Sequence, residues 1–184
     1  MIELVKGRDL TEARSSLDDL ARRGTIALRG LTEASERFDA VEVVDEEAMA
    51  VAITEAAMWA TVLDDLLVAG APTYAAYKRD DADAGVLAGL RWARHRGVHQ
   101  AITVHHTTEG RRFPMRFPVR FYSVLWRPRA ELPEPDSRHR DSRLEVAYDA
   151  HLAGEQVWVT LRAARFFLER SLGSGGEGLL AGQP

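Results

Sequence analysis

Residues 45–72 read DEEAMAVAITEAAMWATVLDDLLVAGAP. Asp45 is a natural N-cap, and Glu46 and Glu47 put carboxylates at the positive end of the helix dipole. Val51, Trp59, Val62, Leu63 and Leu66 carry an apolar pattern along the run. Gly70 reads as the C-cap, and Pro72 just beyond it cannot continue the helix. A helix this well bounded makes the chain mainly α, and the segments around it follow the same period.

Upstream, Leu10, Ala13, Leu17, Leu20, Gly24, Ala27, Leu31, Ala34 and Phe38 recur at steps of three and four. This stripe predicts one helix over 9–37, or two that divide near Gly24 or Gly30. Downstream, 70–83 reads as a polar loop. A helix from near Asp83 then carries Val86, Leu87, Leu90, Ala93, Val98, Ala101 and Ile102. Gly97 in its interior costs roughly 1 kcal/mol against alanine and signals a close approach or a bend.

The period then changes to two. Phe113, Met115, Phe117, Val119 and Phe121 alternate with Pro114, Arg116, Pro118, Arg120 and Tyr122. That is a strand or extended arm, and its prolines confine it to an edge or to unpaired chain. Pro128, Pro133 and Pro135 mark a loop. A last helical region spans 137–172, with Gly154 as the point where it would divide and Gly173 as its end. The expected architecture is an up-and-down bundle of four to five helices with one extended or β-hairpin-like insertion around residues 111–127. It forms a single domain over 1–172, followed by a disordered glycine-rich tail over 173–184.

The chain has 184 residues, no cysteine and a formal net charge of −4. Disulfides and thiolate metal sites are therefore excluded. Glu3, Lys6, Arg8 and Asp9 interrupt the first ten residues, which do not read as a signal peptide. No apolar run approaches the roughly 20 residues of a membrane span, so no membrane partner and a cytoplasmic location are expected. The charge is uneven: residues 1–87 carry −9, 88–143 carry +7 and 144–184 carry −2. The basic middle either pairs with the acidic helices or forms a face for nucleic acid.

Within that middle lies Arg94-His95-Arg96-Gly97-Val98-His99. Arginine grips phosphate through a planar fork, and histidine passes a proton near neutral pH. An arginine, four intervening residues and a histidine, with a polar residue after the arginine, resembles the defining motif of the HEPN superfamily. Many of its members are metal-independent ribonucleases of toxin–antitoxin, abortive-infection and CRISPR-associated systems. Arg94, His95 and His99 match the motif positions. The resemblance covers six residues, plus the helical setting. It implies an endoribonuclease without cofactor or metal that cleaves RNA by attack of the 2′-hydroxyl. It also implies a homodimer with two motifs facing one cleft, and an antitoxin or regulatory protein as a possible partner. His99 is then general acid or base, Arg94 stabilises the phosphorane charge, and His95 orients His99 or the phosphate. Arg91 and Arg96 flank them as phosphate contacts. The tyrosine that some toxin members carry two positions after the histidine is Ala101 here, so control by tyrosine modification is not implied. On one continuous helix, positions five apart differ by about 140°, so the two side chains meet only through the length of arginine or a bend at Gly97.

The competing reading is a non-catalytic helical interaction module in which Arg91, Arg94 and Arg96 pair with acidic helices and His99 is a satisfied core histidine. Other constellations carry less. His95 and His99 are four apart, a spacing zinc can use, with His105, His106 and Glu109 nearby, but no zincin glutamate follows His95. Asp64, Asp65 and Glu55 read as solvated or helix-contact carboxylates; the lesser alternative is that one of the aspartates hydrogen-bonds Arg94 or His99 and tunes it. Arg111, Arg112, Arg116, Arg120, Arg127 and Arg129 interleave with Phe113, Phe117, Tyr122 and Trp126. That strip suits single-stranded RNA, or a half-buried strand with inward aromatics and solvated arginines, or an arm that pairs across a dimer.

Overall fold

The computed structural model describes residues 2–41, 45–107, 121–133 and 141–173, with side chains from 18 onward except at 99, 105–107, 121 and 122. The protein is a mainly α bundle carrying a two-stranded antiparallel hairpin. Helix α1 (Ile2–Ala40) runs without a break. Its glycines do not divide it; they let neighbours approach. A Cβ on Gly30 would lie 2.5 Å from the Trp59 ring, and one on Gly24 would lie 2.7 Å from Leu172 Cδ2. Helix α2 (Glu46–Gly70) lies against α1, and both helices bury alanines, among them Ala27, Ala34, Ala56 and Ala60. Asp45 caps α2 as its sequence position demands, accepting the Ala48 amide at 2.9 Å.

Gly30→Ala therefore sets two effects against each other. Helix propensity gains about 1 kcal/mol, while forcing an atom into a packed indole costs about 1–3 kcal/mol. A flat ring edge cannot fold away as the end of a leucine can, so overpacking wins. Urea unfolding should show Gly30→Ala less stable than the native chain by roughly 1 kcal/mol.

The segment expected to be a polar loop contains helix α3 (Tyr74–Asp80). Tertiary packing makes it helical: Tyr74 is fully buried, and Tyr77 stacks on Phe167 with ring centroids 5.5 Å apart. A 3₁₀ turn at Ala82–Ala84, capped by Asp81, leads into helix α4 (Gly85–Arg96). The helix expected to continue through Ile102 stops at Gly97. A single turn, α5 (Val98–Ala101), follows, and then strand β1 (Ile102–Thr107).

Strand β1 pairs antiparallel with β2 (Phe121–Trp126), in a register from Ile102 opposite Trp126 to Thr107 opposite Phe121. The hairpin expected around 111–127 thus begins earlier, at 102. The alternating stretch 113–120 lies outside the described residues, as do Arg111 and Arg112 and the tail from 174. Arg127 belongs to the hairpin base: its amide donates to Ala101 O at 2.7 Å and its Nε to Ile102 O at 2.9 Å.

The last helical region divides, as Gly154 suggested, into α6 (Ser142–His151) and α7 (Val157–Leu172). Gly154 takes φ 80°, a left-handed conformation that costs glycine nothing. Its amide donates to Trp126 O at 2.8 Å, which ties the α6–α7 turn to the hairpin. Trp126 itself is fully buried and donates its indole N–H to Thr160 Oγ1 at 2.8 Å. The Tyr148 ring bridges Trp126 and Trp92, and its hydroxyl donates to Arg127 O at 2.7 Å. No helix among the described residues is long and apolar enough to cross a membrane.

Burial pushes the Tyr74 and Tyr148 hydroxyls well above the ordinary tyrosine range, with nearby Asp64 and Asp149 adding to the effect. In the unfolded chain both titrate near pH 10. Above that pH the unfolded state binds fewer protons than the native state, so stability falls as pH rises, by up to about 1.4 kcal/mol per pH unit for each tyrosine. Denaturant titrations between pH 9 and 11.5 should show this decline. Tyr148→Phe, which keeps the ring, should make it about half as steep.

Candidate functional site at the end of helix α4

Arg94, His95 and Arg96 form the last turn of α4. Gly97 ends the helix with φ 79° and ψ 107°, and its amide donates to Arg94 O at 3.2 Å. Only glycine takes this conformation without strain. Gly97 O then accepts the Gln100 amide at 2.9 Å as α5 begins. The motif therefore spans two helices joined at Gly97, and the angular separation expected on one helix does not apply. Val98 and Ala101 are buried, which fixes α5 against the core, mainly against α2. The backbone of His99 lies within this turn; its side chain lies outside the described residues, as do those of His105 and His106, and all of Glu109.

Helix α4 lies across α2, and three positions of α2 receive its arginines. Arg94 Nη1 donates to Thr61 Oγ1 at 2.8 Å. Thr61 is fully buried, and its hydroxyl donates in turn to the carbonyls of Ala57 and Met58. Its proton is thus used within α2, and a lone pair faces Arg94. Arg94 makes no ion pair among the described residues, and it is only half-buried.

One turn earlier the pairing is different. Arg91 Nη2 lies 3.0 Å from Asp64 Oδ2 and 2.5 Å from Asp65 Oδ1. Asp64 is only 2% exposed. It also accepts from Tyr74 Oη at 2.8 Å and from Lys78 Nζ at 2.6 Å. Burial alone would lower the Arg91 guanidinium, but bonds to Asp65 and Asp64 outweigh it and hold it above its usual range. This cluster joins α2, α3 and α4. The two aspartates, read from sequence as solvated or helix-contact carboxylates, both serve Arg91; Asp64 is the interior member of the pair and Asp65 is exposed.

Arg96 packs over the Trp92 ring, 4.8 Å from its centroid, and donates Nη1 to Pro133 O at 2.6 Å. His95 is exposed. Of the five residues the motif singled out, Arg94 and His95 thus border solvent at the end of α4, while Arg91 and Arg96 make contacts that hold the fold. Sequence reading did not select Thr61, Tyr74 or Lys78. Thr61 carried no signal among the alanines of α2. Tyr74 and Lys78 are four apart, which is a helical signal, but too short to register without its packing partner.

The fold and this terminus define a mainly α bundle whose motif helix ends in a basic turn next to a hairpin. Compared with family models, curated proteins and solved structures, the chain matches none.

Proposed function

We propose that the α4–α5 junction is the catalytic edge of a HEPN-like, metal-independent endoribonuclease, acting as a homodimer in a toxin–antitoxin or phage-defence setting. The observation that supports it is the contrast between Arg91 and Arg94. Arg91 is neutralised by two carboxylates, whereas Arg94 is oriented by a neutral hydroxyl and keeps its charge for an anion. A guanidinium held this way suits the equatorial oxygens of a reacting phosphodiester. His99, in the next turn, takes the proton from a 2′-hydroxyl. The 2′-oxygen attacks phosphorus, the bond to the 5′-oxygen breaks, and an acid returns a proton to that oxygen. The products are a 2′,3′-cyclic phosphate and a 5′-hydroxyl. In a dimer, the acid is the histidine of the second copy. In this reading Arg91 is a positioning residue and Arg96 supports Trp92, while His95 meets the RNA at the rim.

A second reading has its own observation. Arg91 and Arg96 are both engaged by the protein itself, which is what a non-catalytic helical interaction module requires. RNA incubated with the purified protein in chelator separates the two. Cleavage with cyclic-phosphate ends, absent in Arg94→Ala and in His99→Ala, supports the nuclease. Equal RNA integrity with and without the native protein leaves the module.

A further inference from the structure

Remote from the motif in sequence, the end of α1 and the first half of α7 enclose a groove of about 200 Å³. Leu161 is its buried floor, Phe38 and Trp158 are aromatic walls, and Asp39, Arg162 and Arg165 complete the rim. Trp158 is 48% exposed, a large indole left in water. Its N–H donates to Gln156 Oε1. The guanidinia of Arg162 and Arg165 both lie over the Phe166 ring, 5.2 and 5.6 Å from its centroid. Arg165 pairs with Glu169 at 3.4 Å, but Arg162 has no carboxylate partner among the described residues.

These features specify a ligand with two parts. An exposed indole beside a second aromatic wall suits a planar ring. An unneutralised arginine held on an aromatic face suits a phosphate. Asp39 offers the acceptor that a base N–H needs. The volume decides how much of the ligand enters. Pockets that enclose whole small molecules run roughly 300–1,000 Å³, so this groove takes one ring and leaves the rest outside. An isologous pairing of two copies centred on Arg162 would set Arg162 against its own symmetry mate, so charge favours an anionic occupant over a second copy.

We infer that the α1–α7 groove is a subsite for one nucleotide of single-stranded RNA, with the base against Trp158 and its phosphate at Arg162. It is a binding site, separate in residues from Arg94 and His99; its lining carries the base and the phosphate, and the choice of RNA rests on the ribonuclease reading.

The test uses the full chain and a ten-residue oligouridylate carrying 2′-O-methyl groups, which lacks the nucleophile for self-cleavage. Binding is followed by tryptophan fluorescence and by calorimetry, with uridine monophosphate, inorganic phosphate and a ten-residue polyglutamate as further arms. Base stacking of this kind corresponds to roughly 5- to 150-fold in affinity. The oligonucleotide should quench fluorescence saturably. Trp158→Leu should abolish most of the quenching and weaken calorimetric binding at least fivefold, and Arg162→Ala should weaken it similarly. Both residues are exposed, so the variants should fold, which their melting curves check. Unchanged affinity in both groove variants overturns the proposal, as does the absence of binding. Equal affinity for phosphate or polyglutamate overturns it in favour of a general anion site or an acidic protein partner. Equal affinity for the mononucleotide overturns the assignment to a chain and gives the groove to a free nucleotide.

Discussion

Asp64→Ala should destabilise the protein by about 3 kcal/mol, the lower part of the roughly 3–5 kcal/mol range for breaking a buried ion pair. The carboxylate is buried and meets Lys78, Arg91 and Tyr74 together. Deleting it leaves Lys78 without its acid and the Tyr74 hydroxyl without an acceptor. Arg91 retains Asp65 at 2.5 Å, and both cations keep about a quarter of their side-chain exposure, 24% for Arg91 and 27% for Lys78. Those two facts hold the loss at the low end of the range. The neighbouring Asp65→Ala should cost under about 1 kcal/mol, because Asp65 is 56% exposed and its pairing is screened by water. Guanidinium unfolding of both variants checks the contrast. A loss for Asp64→Ala no greater than for Asp65→Ala would show that the cluster does not hold α3 and α4 on α2.

His99→Ala is expected to slow RNA cleavage by roughly 10²- to 10⁴-fold, the usual worth of a positioned acid or base. Arg94→Ala should slow it by about 10²- to 10³-fold, as the loss of one charge-stabilising donor does. Arg94→Lys should recover only part of that, because an ammonium restores the charge without the planar fork. Thr61→Val supplies a more specific check. It removes the hydroxyl that orients Arg94 and leaves the guanidinium in place. A positioning role predicts that Thr61→Val slows native cleavage but adds nothing further to Arg94→Ala, and a double-mutant cycle reads that coupling. Neither the Arg94 variants nor Thr61→Val removes a fully buried charge, so their unfolding midpoints should stay close to native. Single-turnover rates in chelator make the measurement.

How legible the molecule was in its sequence varied by element. The cap at Asp45, the start of α2 and the division of the last helical region near Gly154 were all readable, because each rests on local rules of capping and glycine conformation. The continuity of α1 through Gly24 and Gly30 was not. A glycine in a helix weakens it locally, and only the indole of Trp59 and the side chain of Leu172 show what those glycines make room for. Helix α3 was missed because seven residues give too little periodicity, and its helicity depends on Phe167 nearly a hundred positions away. Gly97 gave the right warning and the wrong extent: a close approach or a bend was expected, and the helix ends.

For the candidate site, the residue types were visible and their commitments were not. The sequence placed three arginines within one helix segment, and nothing in their spacing distinguished them. The tertiary structure gave Arg91 two carboxylates, Arg96 an indole and a carbonyl, and Arg94 a single hydroxyl.

Sequence alone determined that this chain is a mainly α bundle with one extended or hairpin-like insertion, because helix caps and apolar periods act over a few residues. Only the tertiary structure decided which charges are neutralised and which stay available. Ion pairing depends on distances of a few ångströms between segments far apart along the chain, and those distances exist only once the helices have packed.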